Sequence, residues 1–192
     1  QIDGVSVMLP TGVSEYGMVR LMSHGSRDLL CEIPAARWDA GEVTVHMVGI
    51  PAPIASRVRH GAFLLDAELF DHGSFSISAA EAAAMDPQQR LLLERGCSAL
   101  HKSGASKAKL LGSVTAVNVG QWASEFGSVL SGTPAIRSVY ASTGYSCSVT
   151  CGRVSFALAL QGPCASYVTA CSASLVANHG SVRALQRLEC IA

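Results

Sequence analysis

The chain has 192 residues, enough for one domain or a large part of one, and its 14 basic and 14 acidic side chains give a formal net charge of +0. That balance, with no block of like charge, gives no reason to expect a phosphate backbone or an anionic membrane as partner. Charged residues make up only 15% and mean hydropathy is +0.32, yet no apolar run reaches the roughly 18 residues of a membrane span.

Residues 2–9 alternate loosely and end at Pro10-Thr11-Gly12, which predicts a strand and a turn. Residues 15–30 mix polar and apolar side chains at helical period, and residues 33–39 read as a link. Residues 40–59 hold Gly49, Pro51 and Pro53 without a firm period, predicting an irregular or inserted stretch. The clearest helix begins at Asp86-Pro87, a good N-cap followed by a residue suited to the first helical position. Leu93, Gly96, Cys97 and Leu100 follow at i, i+3, i+4 and i+7, and Gly104 is a natural stop. Residues 113–119 alternate as a strand, 124–138 read as loop-rich, and 146–160 as a buried helix. Gln161-Gly162-Pro163 turns the chain into a second strand, so the order of elements predicts α/β layering. No charged-then-apolar leader follows Gln1, and both ends read as cut.

Seven cysteines, without a C-x-x-C pair, point to a reduced, intracellular protein rather than a disulfide framework. Zinc is not expected: Cys147 and Cys151 are four apart, but no histidine pair follows at finger spacing. The six histidines are scattered and none sits in H-E-x-x-H.

One of the cysteines stands apart. Cys171 follows a short apolar segment, is flanked by Ala170, Ser172 and Ala173, and precedes Leu175, Val182 and Leu185 at helical spacing, with Leu188 beside them. This predicts a buried strand, a sharp turn and a helix whose first residue is a thiol. A helix N-terminus favours the thiolate, the nucleophilic form of cysteine, and small neighbours leave room for a bulky acyl group. By spacing alone, the same pattern also fits an inert apolar thiol.

Three stretches carry a resemblance. Residues 75–94 read F-S-I-S-A-A-E-A-A-A-M-D-P-Q-Q-R-L-L-L-E, similar to F-G-I-S-x-x-E-A-x-x-M-D-P-Q-Q-R-x-x-L-E. Residues 152–163, G-R-V-S-F-A-L-A-L-Q-G-P, resemble G-R-[IV]-S-[YF]-x-L-x-L-x-G-P. Residues 169–177, T-A-C-S-A-S-L-V-A, resemble the nucleophile motif T-A-C-S-S-S-L-V-A. In this order they resemble the N-terminal half of a β-ketoacyl synthase, the condensing domain of polyketide and fatty-acid synthases. The resemblance implies a thiolase-like fold, with residues 1–192 forming a partial chain: the N-terminal half of a layered α-β-α-β-α architecture. It makes Cys171 the residue that holds an acyl chain as a thioester. Malonyl-carrier protein then loses carbon dioxide, and the carbanion attacks that thioester in a Claisen condensation. The implied partners are an acyl carrier protein, whose phosphopantetheine presents the substrates, a second copy in a homodimer, and the C-terminal half. No cofactor or metal bound directly is implied.

The family's two catalytic histidines lie in motifs resembling H-G-T-G-T and N-x-G-H, and neither occurs in this sequence. Val168 stands where the family commonly has Asp, Ala173 where it has Ser, Cys97-Ser98 where it has Trp-Glu, and Cys164 where it often has Ser. The first strand reads V-S-V-M-L-P rather than G-x-x-C-R-x-P. Those departures favour an alternative, a non-catalytic ketosynthase-like scaffold or carrier-protein-binding subunit; retention of Cys171 favours the enzyme. Ser106-Lys107-Ala108-Lys109 has the S-x-x-K form of a serine enzyme but no partner motif. The D-P-Q-Q-R run is expected to cap and orient a helix, with Arg90 and Glu94 at i, i+4 adding a few tenths of a kcal/mol. Half of a layered fold leaves one side of its middle layer wet, which agrees with the low charge content. The 192-residue chain made alone is therefore expected to aggregate or self-associate in light scattering, and a soluble, cooperatively unfolding monomer would contradict this.

Overall fold

The computed structural model describes residues 2–39, 41, 49 and 51–191. These divide into two compact units, Ser6–Asp66 and a larger one formed by the chain start through Val5 together with Ala67 onward. In the smaller unit, Pro10–Gly12 forms a 3-10 turn bracketed by an isolated bridge between Leu9 and Val13. Helix α1 (Tyr16–Gly25) follows, closed by Ser26 in the left-handed conformation. A two-residue antiparallel pair, β1 (Cys31–Glu32) with β2 (His60–Gly61), ties the unit together. An ion pair joins the same two regions, from Arg59 Nη2 to Glu32 Oε1 at 2.8 Å. The strand expected over residues 2–9 is absent among the described residues; Leu9 alone makes a bridge. Within the stretch expected to be irregular, Pro51 caps a helix, α2 (Ala52–Arg57). Proline before and inside the first turn is compatible with helix, because the first N–H groups have no acceptor to lose. Positions 40, 42–48 and 50 of that expectation lie outside the described residues.

The larger unit is organised by α3 (Ala79–Ala84), α4 (Pro87–Lys102) and α8 (Cys147–Ala157) around Met85, Leu93 and Val154. Phe70, Phe75, Ile77 and Val117 pack against that cluster. Ser78 caps α3 by accepting from Glu81 N at 3.1 Å, and Asp86 caps α4 by accepting from Gln88 N at 2.7 Å. Asp86 is buried, and its other carboxylate oxygen accepts from the Ser124 hydroxyl. Gln89, also buried, donates to the carbonyls of Thr143 and Ser146 at 3.1 and 3.3 Å. The Asp-Pro-Gln-Gln run thus cements the start of α4 to the segment leading into α8, the structural role expected of it. Arg90 goes elsewhere, donating to the Glu68 carbonyl at 3.2 Å. Arg153 on α8 meets Glu81 on α3 at 2.6 Å, a pair whose side chains are 11% and 24% exposed.

Between these elements lie α5 (Lys107–Leu110), α6 (Phe126–Ser131), a 3-10 turn (Pro134–Arg137) and α7 (Ala141–Gly144). The 124–138 region therefore carries a helix and a 3-10 turn where loop was expected. Its small and polar residues hide the period: Leu130, nearly fully buried, is what pins α6. Of the predicted α4 face, Leu93 is buried and Cys97 is exposed. Gly96 and Leu100 of the same face are half-buried, so the contact is centred on Leu93 and fades toward the end of the helix.

Strands β3 (Val117–Gly120) and β4 (Cys164–Tyr167) pair in parallel, Val117 opposite Cys164 and Gly120 opposite Tyr167. Helix α8 packs on both, and α9 (Ala173–Gln186) packs mainly along β3. The buried face of α9 is made of Ala173, Ala177 and Ala184. Its larger apolar residues point outward, Leu175 being 72% exposed and Val182 and Leu185 each 44%. Small residues face the sheet because backbone must come close there. A Cβ on Gly120 would lie 2.5 Å from Ala173 C and Ser174 N, and one on Gly180 would overlap the Tyr167 hydroxyl.

Two substitutions test this packing by thermal or denaturant unfolding. Leu93→Ala is expected to cost about 2–5 kcal/mol and Leu93→Met less than about 1.5, because only the first leaves a void. Gly120→Ala is expected to cost about 1–3 kcal/mol through overpacking, and to change the labelling rate of Cys171, which lies just ahead of the displaced helix turn.

Candidate active site

Chain geometry at the end of β4 presents Cys171. After Tyr167 the backbone leaves the sheet, Thr169 adopts φ −126 and ψ 39, and Ala170 takes φ 53. A left-handed alanine costs roughly 1–2 kcal/mol, and such residues persist only where surrounding contacts over-determine them. Residues Ala170–Ser172 then form a 3-10 turn that runs directly into α9. Spacing predicts Cys171 as the first helical residue, but the α-helix begins two residues later, at Ala173; Cys171 sits in the tight turn ahead of it, and its side chain is exposed.

The turn is held from inside. Ser172 Oγ donates to the Thr169 carbonyl at 2.7 Å and lies 3.1 Å from Thr169 Oγ1, while Ser172 N donates to the same carbonyl at 3.2 Å. Behind it, Gln121 N donates to the Tyr167 carbonyl at 3.0 Å, extending the β3–β4 contact past the strand end. A polar chain then crosses the layers: Tyr167 OH donates to Asn118 Oδ1 at 3.3 Å, and Asn118 Nδ2 donates to Ser181 Oγ at 3.0 Å. Both strands are thereby tied to α9, the helix that follows the Cys171 turn. Sequence reading missed Asn118, Tyr167 and Ser181 because each looks ordinary until β3, β4 and α9 are adjacent.

The other candidates take bland roles. Ser106 of the S-x-x-K form caps α5, its hydroxyl accepting from Lys109 N at 3.4 Å. His72 Nδ1 lies 2.7 Å from the Ile77 carbonyl and His60 Nδ1 lies 3.0 Å from the Ser56 carbonyl, both local turn contacts. His179 is exposed on α9, and His46 lies outside the described residues. No cluster of three metal-ligating side chains occurs among the described residues. Among the remaining cysteines, Cys164 is distinctive: although its side chain is exposed, partial desolvation first and the neighbouring Cys151 second raise its thiol above the ordinary range. A smaller thiolate fraction makes it a poor competitor for an acyl group at neutral pH. Cys97 is exposed on the rim of an apolar cavity of about 360 Å³ between α4, α5 and the end of α8. Among the described residues, no helix is long and apolar enough to cross a membrane.

Comparison with known proteins converges on one family. The family model for the β-ketoacyl synthase N-terminal domain matches residues 1–192. The chain is 40% identical over 190 residues to polyketide synthase GfsB of Streptomyces halstedii, covering 98% of this chain and 3% of that protein. It is 41% identical over 184 residues to a mycocerosic acid synthase-like polyketide synthase of Mycolicibacterium smegmatis, covering 96% of this chain and 9% of that protein. Among solved structures, the ketosynthase from module 6 of the Bacillus subtilis bacillaene synthase superposes with a TM-score of 0.80 at 28% identity. That match covers 98% of this chain and 30% of the other. An oxazolomycin ketosynthase domain from Streptomyces albus gives 0.76 at 31%, covering 98% and 33%. The chain therefore spans about a third of the ketosynthase structures it matches and a small part of the curated synthases. Its architecture is that of the N-terminal half of the thiolase-like fold, and the chain belongs to the β-ketoacyl synthase N-terminal domain family.

Proposed function

We propose that this chain supplies the acyl-accepting half of a polyketide-synthase condensing domain, with Cys171 as the nucleophile. The observation that carries the reading is the position of Cys171: exposed, in the tight turn between β4 and α9, inside the T-A-C-S motif. The Cys171 thiolate attacks the carbonyl carbon of an acyl thioester presented on the phosphopantetheine of an acyl carrier protein. The tetrahedral oxyanion is met by backbone N–H groups at the start of the turn, where helical donors have no intrahelical acceptor. Collapse expels the carrier thiolate and leaves the acyl group on Cys171 Sγ. Condensation with malonyl-carrier protein then breaks that thioester as carbon dioxide leaves the malonyl group. Neither histidine motif that the family uses for this second step occurs in the sequence. Residues 1–192 are accordingly assigned acyl transfer, and decarboxylation is assigned to a C-terminal half.

The outward stripe of α9 supports that division. Leu175, Val182 and Leu185, with Leu188 just beyond the helix at 88% exposed, form an apolar face on the side of α9 away from β3. A cover from the second half of the fold, and a second copy in a dimer, would bury such surface.

The test is acyl loading of the full protein by an acyl-carrier or acyl-pantetheine thioester, read as a mass increase on tryptic peptides. Wild type is expected to carry the adduct on Cys171. Cys171→Ala is expected to lose it and to lower condensation by at least about a hundredfold, the scale of removing an essential nucleophile. An adduct on Cys97 or Cys164 would overturn the assignment. A protein that binds the carrier but never becomes acylated would be the scaffold instead.

A further inference from the structure

We propose that the cavity between α4, α5 and the end of α8 is a binding site for a small anionic amphiphile, a medium-chain carboxylate whose tail enters the cavity while its head stays at the mouth. Burial divides the lining into a floor and a rim. Phe75, Leu100, Leu110, Ala157 and Leu158 are buried or half-buried and supply the floor. Cys97, His101 and Lys107 are exposed and border the opening. Cys97 and His101 stand on α4 at i, i+4, the spacing that puts two side chains on one face. Lys107 begins α5. Apolar walls with a few polar groups are the ordinary make-up of a small-molecule site, and about 360 Å³ falls within the size range of such sites. A water molecule takes about 30 Å³ of the liquid, so the space holds roughly a dozen non-hydrogen atoms. Water is poorly held against this floor, because it needs polar partners and these side chains offer none. An alkyl tail gains on entry, since its own surface and that of the floor leave water together.

Charge selects the head group. Among the described residues that line the cavity, His101 and Lys107 are the basic side chains and none is a carboxylate. Lys107 forms no ion pair among the described residues. Asp71 and Glu94 border a neighbouring depression instead, which shares Cys97 and His101 with the cavity. Asp71 is engaged there, accepting from Ser74 Oγ at 2.6 Å. A cationic head would therefore find no counter-charge at this mouth, whereas a carboxylate meets Lys107 and the His101 ring. The inference stands apart from the condensing reading, since none of these residues is assigned a part in acyl transfer.

The experiment incubates the full protein with decanoate, or with decanol, which has the same tail without the charge. The rate of Cys97 alkylation by iodoacetamide is then followed by peptide mass mapping. With decanoate at ten times its dissociation constant the unoccupied fraction falls about elevenfold, so Cys97 labelling is expected to slow by about tenfold. Lys107→Gln is expected to weaken protection by decanoate about two- to fivefold, the scale of an exposed ion pair, and to leave decanol unchanged. Cys97→Trp, an exposed change that sends bulk into the cavity, is expected to remove one decanoate per chain from the stoichiometry measured by calorimetry. Protection of Cys97 should persist in Cys171→Ala, which separates this site from the acyl-accepting thiol. Cys97 labelling that is equally fast with and without decanoate would overturn the proposal. So would a Cys97 that is unreactive in the full protein, because another part of the chain would then fill the cavity. Decanol protecting as well as decanoate, or weakened equally by Lys107→Gln, would overturn the assignment of an anionic head.

Discussion

The constraint on which the site depends is the close approach of α9 to β3. A helix rests this near a strand only where both lack bulk, and here Gly120 meets the backbone of Ala173 and Ser174, with Ala177, Gly180 and Ala184 continuing the contact. The position of the helix fixes the position of the turn before it. That turn in turn places Ala170 in the left-handed region, so the strain beside Cys171 is held by packing some distance along the helix. The polar chain from Tyr167 through Asn118 to Ser181 locks the same three elements by direction as well as by size.

A second framework holds the other side of the unit. Met85, Leu93 and Val154 supply the apolar contact between α4 and α8, and Asp86 and Gln89 supply the polar one. Buried polar side chains of this kind raise specificity more than stability, because each has partners in only one arrangement. Helix α8 is shared between this framework and the sheet, since its inner face also carries Cys151 and Thr150. Helix α8 therefore touches both α4 and β4, the strand that leads to the turn bearing Cys171.

Much of this was legible in the residues. Asp86-Pro87 announced α4, and its capping bond is present as expected. The buried helix over 146–160 appears as α8, and the strand before Cys171 appears as β4. The misreadings have physical causes. Residues 2–9 alternate, but alternation makes a strand only when a neighbouring strand accepts its hydrogen bonds, and among the described residues the stretch makes just the local bridge from Leu9 to Val13. The helix α2 was hidden by prolines that sit where helices tolerate them. Leu175, Val182 and Leu185 do share a face, yet hydrophobicity does not say which side of a helix meets the sheet; the alanines and glycine do.

The division of α9 into a small inner face and a bulky outer one also governs how this protein can diversify. On the inner side a carbon added at Gly180 would overlap the Tyr167 hydroxyl, and one added at Gly120 on the facing strand would overlap the helix backbone at Ala173 and Ser174. Outer positions such as Leu175 and Val182 meet no such wall within residues 1–192. Side-chain size around Cys171 is therefore limited from below by the sheet, and on the outer side of the helix only by whatever comes to rest on it.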